Sequence, residues 1–90
     1  MRIWATVRID HQIADETIME FPQSAQSVKD WGEIISALCE PLDLARPVIL
    51  RKHENDLKRF SRVVFKPDDF MEAVNFDKFE IEIFPEEKKK

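Results

Sequence analysis

Hydrophobic and polar residues alternate with a period of two near both ends of the chain. In MRIWATVRID, Ile3, Ala5, Val7 and Ile9 fall on one side of an extended strand and Trp4, Thr6 and Arg8 on the other. That is the pattern of a half-buried strand. DHQ at 10–12 is a polar break and IADETIMEF at 13–21 reads as a returning strand, so the chain is expected to open with a β-hairpin. KFEIEIFP at 78–85 alternates again, with Phe79, Ile81 and Ile83 inward and Glu80, Glu82 and Phe84 outward.

The period changes in SVKDWGEIISALCEP, where Val28, Trp31, Ile34, Ile35, Leu38 and Cys39 form an apolar stripe at helical spacing. Ser27 is expected to cap this helix, with Asp30 reaching back in a capping box. Pro41 disfavours helical geometry at Glu40 and marks the end. Gly32, the one glycine of the chain, lies mid-helix, where it costs about 1 kcal/mol relative to alanine. Its expected role is to let the helix backbone approach the sheet.

PQSAQ reads as a loop, and PVILRKH at 47–53 and KRFSRVVFK at 58–66 bracket the polar turn ENDL, which predicts a second hairpin. PDDFMEAVNFD at 67–77 reads as a proline-initiated turn, with Asp69 placed to cap a single helical turn containing Glu72. The predicted order is ββαβββ, an α+β domain with one helix packed on one face of a mostly antiparallel sheet. The domain spans 1–87, with a frayed basic tail at 88–90. Val28, Trp31, Ile35 and Leu38 should face Ile3, Val7, Val63, Phe65 and Ile81.

Composition agrees with one globular domain. Ninety residues that are 43% hydrophobic, with seven phenylalanines and two tryptophans, suffice for a single core. The lone Cys39 rules out an intramolecular disulfide. Signal-peptide features are missing from the N-terminal residues, and no apolar run approaches the roughly 18 residues that span a bilayer. A soluble cytoplasmic domain is the expectation. Charge comes in blocks: residues 10–45 hold eight acids against Lys29, residues 46–66 seven bases against Glu54 and Asp56, and residues 67–87 eight acids against Lys78.

One glycine excludes phosphate-binding loops and dinucleotide fingerprints, which need several for close backbone approach. One cysteine and two histidines do not make a zinc site, and no acidic stretch has the central glycine of a calcium loop. No cofactor, metal or catalytic residue is therefore assigned, and an enzyme is not expected. Cys39 with His11 or His53 has the residue types of a nucleophile and base, but a small buried hydrophobe accounts better for Cys39. Glu80 and Glu82 share a strand face, where a solvated surface explains them better than paired catalytic carboxylates. PDDF with Glu72 reads as a turn and cap rather than a metal cluster.

Two binding surfaces remain. Arg51, Lys52, Lys58, Arg59 and Arg62 would cluster on the second hairpin, with His53 and Phe60 as stackable rings, and suit an anionic ligand or single-stranded nucleic acid. Against nucleic acid stand a pI near 5.2 and the acids at the tip. Pairing of Arg62 and its neighbours with Glu80, Glu82 or Glu20 on adjacent strands accounts better for the block. A single helix leaves the other sheet face showing Trp4, Thr6, Arg8, Arg62, Val64, Glu80, Glu82 and Phe84. Unless PQSAQ or residues 67–77, with Phe70 and Phe76, fold over it, such a surface marks an interface. Trp4, Arg8, Val64 and Phe84 are its candidate residues.

The stretch PLDLARPVILRKHENDLKRFSRVVFKPDDFMEAVNFDKFEIEIF, about half of the chain, resembles a set of small uncharacterised bacterial proteins. They share an IWA strand, an LDL.RPV.L.KH run and an F.PDDF.E.V.FDK.EIEI ending. The resemblance implies a bacterial cytosolic domain and supplies no catalytic residue or ligand. The expectation from the residues is a non-enzymatic interaction module with a protein partner or as a homodimer, through the open sheet face or an edge strand.

Overall fold

Strand β1 (Arg2–Ile9) returns as β2 (Gln12–Glu20) through a two-residue turn in which Asp10 and His11 take φ of 54° and 68°. Both values are positive, the conformation whose twist matches a tight hairpin. The computed structural model describes residues 1–84, and the basic tail expected at 88–90 lies outside the described residues. After the hairpin come helix α1 (Trp31–Cys39), helix α2 (Arg51–Phe60), strand β3 (Arg62–Phe65) and strand β4 (Lys78–Phe84). Short 3-10 turns lie at Ala25–Ser27 and Pro67–Asp69. The sheet order is β2-β1-β4-β3 with every pairing antiparallel, so the α+β class holds.

The second hairpin is the main correction. Residues 51–60 form α2 rather than two strand ends and a turn. The segment contains no glycine, proline or β-branched residue, and its Arg, Lys, Glu and Leu favour helix. His53 and Leu57, one turn apart, are buried while most of the segment is exposed. Ser61 ends the helix in a left-handed conformation, φ 57°, with its N–H donating to the Leu57 carbonyl. The segment before α2 is also no strand: Val48 N–H donates to the Asp69 carbonyl at 2.7 Å.

Helix α1 starts one turn later than Ser27. Asp30 is its cap, the carboxylate accepting from Gly32 N–H at 2.9 Å, while Ser27 bonds back to Ser24. A Cβ on residue 32 would lie 3.0 Å from Asp30 Oδ1 and 3.2 Å from Arg46 Nη1, so Gly32 makes room for these two side chains rather than for the sheet. At the other end Glu40 keeps helical angles beside Pro41. The chain turns at Asp43, φ 57°, with Leu44 N–H donating to the Cys39 carbonyl.

The expected stripe and its partners share one core. Val28, Trp31, Ile35 and Leu38 are buried with Ile3, Val7, Val63, Phe65 and Ile81. Leu57 of α2 joins them, and Phe70 and Phe76 meet edge-on at 5.3 Å with Phe70 also against Phe79. Phe79 is an inward position of β4, so residues 67–77 pack on the helix side of the sheet. Ala25 of the PQSAQ loop packs against the same core. Among the described residues, the opposite sheet face carries no covering segment.

Candidate functional site

Strand parity places four rows of side chains on that open face. Trp4, Thr6 and Arg8 come from β1, Glu80, Glu82 and Phe84 from β4, Arg62 and Val64 from β3, and Glu16, Ile18 and Glu20 from β2. Ile13 belongs there too. The register slips between Val7 and Arg8, Ala14 is the extra residue, and the slip turns Ile13 toward the face that Ile18 occupies.

One half of the face is polar, and its ion pairs centre on Glu80. Glu80 is only 8% exposed, and its two carboxylate oxygens accept Arg8 Nε at 3.2 Å and Arg62 Nη2. It is thus a buried anion between two guanidiniums rather than part of a solvated pair with Glu82. The expected pairing of Arg62 with a neighbouring strand is present. Arg8, a candidate interface residue, is half-buried and already committed to Glu80.

The other half is apolar. Trp4 and Phe84 stack with ring centroids 6.3 Å apart and planes within 10°. Trp4 Nε1 donates to Glu16 Oε1 at 2.7 Å, and Trp4 and Phe84 are both half-buried. Ile18 is the cross-strand partner of Trp4 and remains 56% exposed. Val64 is half-buried in the strand beyond β4. Ile18 was not among the residues that alternation singled out, because its face depends on the register of β2 and the slip at Ala14.

The basic residues expected on one hairpin are separated. Arg62 lies on the open sheet face, while Lys58, Arg51, Asn55, Arg59 and Lys52 fall on one exposed arc of α2 at roughly 3.6 residues per turn. None of the four bases on α2 forms an ion pair among the described residues. The Arg59 guanidinium sits 5.7 Å from the centroid of the exposed Phe60 ring. His53 is not available to this surface. It is 2% exposed and lies tilted against Phe65 with centroids 4.4 Å apart.

The candidate nucleophile and base are separately occupied. Cys39 is 1% exposed, and burial pushes its thiol up to about 11 despite Arg46, so little thiolate is present near neutrality. His53 Nδ1 accepts from Leu50 N–H at 2.9 Å, which puts the ring proton on Nε2, 3.6 Å from Asp69 Oδ2. Burial lowers the His53 pKa, with Asp69 opposing, and the imidazole is neutral at pH 7. His11 sits in the hairpin turn. Asp69 Oδ2 also accepts from Lys66 N–H at 2.9 Å. Asp69 therefore acts in a cap and a histidine contact, and no group of three or more His, Cys, Asp and Glu among the described residues is placed to hold a metal. No helix among them is long and apolar enough to cross a membrane.

Comparison with protein-family models, curated proteins and solved structures yields no match for this chain.

Proposed function

We propose that this protein is a non-enzymatic interaction module that holds a protein partner, or a second copy of itself, on the open face of its sheet. The observation that carries this is the Trp4–Phe84 stack with Ile18 exposed beside it, on a face that neither helix covers. Large apolar groups gathered on an uncovered sheet are stabilised by burial against another molecule, at about 25 cal/mol per Å² removed from water. The polar half of the face supports the reading as well, since Arg8 and Arg62 are already paired with Glu80. Cys39 is a buried thiol held protonated, and His53 is buried with Nδ1 occupied by the Leu50 N–H, so these two side chains serve the core and a helix cap. The module is assigned to the cytoplasm, where an unpaired cysteine is the usual state.

The test is sedimentation together with capture from native lysate, comparing the wild type with Trp4→Glu and Ile18→Glu. Self-association or a captured protein should be lost in both variants while their melting stays close to the wild type. Association that survives both substitutions overturns the proposal. Ile18→Glu is the safeguard, because Ile18 is mostly exposed and its replacement leaves the core intact.

A second reading is favoured by the unpaired arc of Arg51, Lys52, Lys58 and Arg59, which offers a site for an anionic ligand or single-stranded nucleic acid. A titration with single-stranded oligonucleotides at two salt concentrations decides it. The acidic balance of the chain leads us to expect no binding near physiological ionic strength. Salt-sensitive binding lost in the Arg51→Gln, Lys58→Gln double variant would establish the anion site instead.

A further inference from the structure

The β2 edge of the sheet narrows the partner. Met1 and Phe21 exchange hydrogen bonds, Phe21 N–H to the Met1 carbonyl at 2.8 Å and the Met1 amino group to the Phe21 carbonyl at 2.6 Å. Antiparallel pairs alternate between bonded and non-bonded, so this pair sets the phase of β2. Met19 and Thr17 turn their backbone groups toward β1, while Glu20, Ile18 and Glu16 turn theirs outward. At Glu16 the outward N–H is already taken by Asp15 Oδ1 at 2.9 Å, next to the extra residue Ala14. The far end of the edge is thereby blocked, as exposed edges commonly are. No described residue bonds the outward groups of Ile18 or Glu20.

We infer that the Ile18–Glu20 edge accepts an extended basic segment of a partner protein as a fifth strand. This rests on the reading of the open face as an interaction surface. The occupant follows from charge. Strand β2 carries Asp15, Glu16 and Glu20 and no lysine or arginine. A second copy paired antiparallel about Ile18 would set Glu16 opposite the other copy's Glu20 twice, and like charges directly opposite are destabilising. A segment with lysine or arginine at those two positions reverses the sign. Glu16 and Glu20 each have one oxygen engaged, by Trp4 and Arg2 respectively, and the second oxygen has no partner among the described residues. Between the bases, the residue opposite Ile18 lands on the open face next to exposed Ile18, one strand beyond Trp4, and is best apolar. The recognised pattern is basic-x-apolar-x-basic in a strand that runs antiparallel to β2. Strand addition takes its affinity from main-chain bonds and its selectivity from alternate side chains.

The probe is the peptide acetyl-Ser-Lys-Thr-Val-Thr-Lys-Ser-amide, titrated into the full isotope-labelled chain while the backbone amide signals are followed. The Ile18 and Glu20 amides should shift saturably and exchange their hydrogens several-fold more slowly. N-methylation of the peptide's valine, which removes the N–H facing β2, should abolish the effect. Glutamate in place of both lysines should weaken it about tenfold or more, as expected when two cross-strand pairs invert sign. The proposal is overturned if the two amides stay unmoved at millimolar peptide, if the N-methylated peptide acts equally well, or if the shifts gather on α2. It is also overturned if both amides are already protected in a self-associated free protein, since a second copy then fills the edge. If Trp4→Glu still abolishes partner capture while the peptide is ignored, strand addition falls and the interaction face stands.

Discussion

Replacing His53 with glutamine should flatten the pH dependence of stability below neutrality. His53 is the third residue of α2, and its Nδ1 accepts from the backbone N–H of the capping residue Leu50. Glutamine at this position makes the same return bond in a capping box, so His53→Gln keeps the bond and removes the titration. The ring is 2% exposed, and burial lowers its pKa from the ordinary 6.5. The unfolded chain therefore binds a proton near pH 6.5, while the folded chain resists it until a lower pH. The stability that His53 contributes is complete above pH 6.5, declines as pH falls through the gap, and is gone below the folded pKa. The slope in that window approaches about 1.4 kcal/mol per pH unit. Urea unfolding at half-unit steps from pH 7.5 to 5.5 reads it directly, above the range where ordinary carboxylates titrate. The wild type should lose more stability than His53→Gln between those limits, by at most about 1.4 kcal/mol. At pH 7.5 the variant should be less stable by about 1 kcal/mol, since it forfeits the ring contact with Phe65 at 4.4 Å. Wild-type and variant curves that stay parallel down to pH 5.5 would refute the account of a buried neutral imidazole.

Three further outcomes follow from named contacts. Glu80→Gln leaves the half-buried Arg8 without its anion and should lower stability by about 1–3 kcal/mol in urea unfolding, tempered by the exposure of Arg62. Asp30→Ala removes the cap on Gly32 N–H and should cost about 1 kcal/mol by the same measurement, with native circular dichroism retained. Cys39 should resist a thiol reagent at pH 8 in the folded protein and react fully once urea has unfolded it.

Much of this arrangement is legible in the chain, and the failures have definite causes. Alternation located β1 and β4 because each has one face against the core, which ties side-chain parity to hydrophobicity, while β2 followed as the strand returning after the DHQ break. The same parity put Trp4 and Phe84 on the open face before any register was known. Helix α2 escaped because its buried stripe is only His53 and Leu57 among seven charged or polar neighbours and the exposed Phe60, and histidine does not register as a core residue. Its last residues were merged with the true strand Arg62–Phe65, since only the left-handed Ser61 separates them and serine does not announce that conformation. Ile18 escaped for a different reason. Ile13 and Ile18 are five positions apart, which in an unbroken strand means opposite faces, and only the extra residue at Ala14 brings them to the same one.

The central pair of the sheet bears on how the chain acquires its structure during synthesis. Strands β1 and β4 lie side by side, yet the Arg8–Glu80 contact spans 72 positions, and Asp77 reaches back to hold the Asp10 N–H in the first hairpin turn. Closing a loop of that length costs roughly 4 kcal/mol in the length-dependent part of its entropy alone. Until β4 leaves the ribosome, β1 has only the thinly covered β2 beside it, and the inward row of Ile3, Ala5 and Val7 lacks its sheet neighbours Ile83, Ile81 and Phe79. The nascent chain must therefore carry an incomplete core from the emergence of β1 until β4 is available to close it.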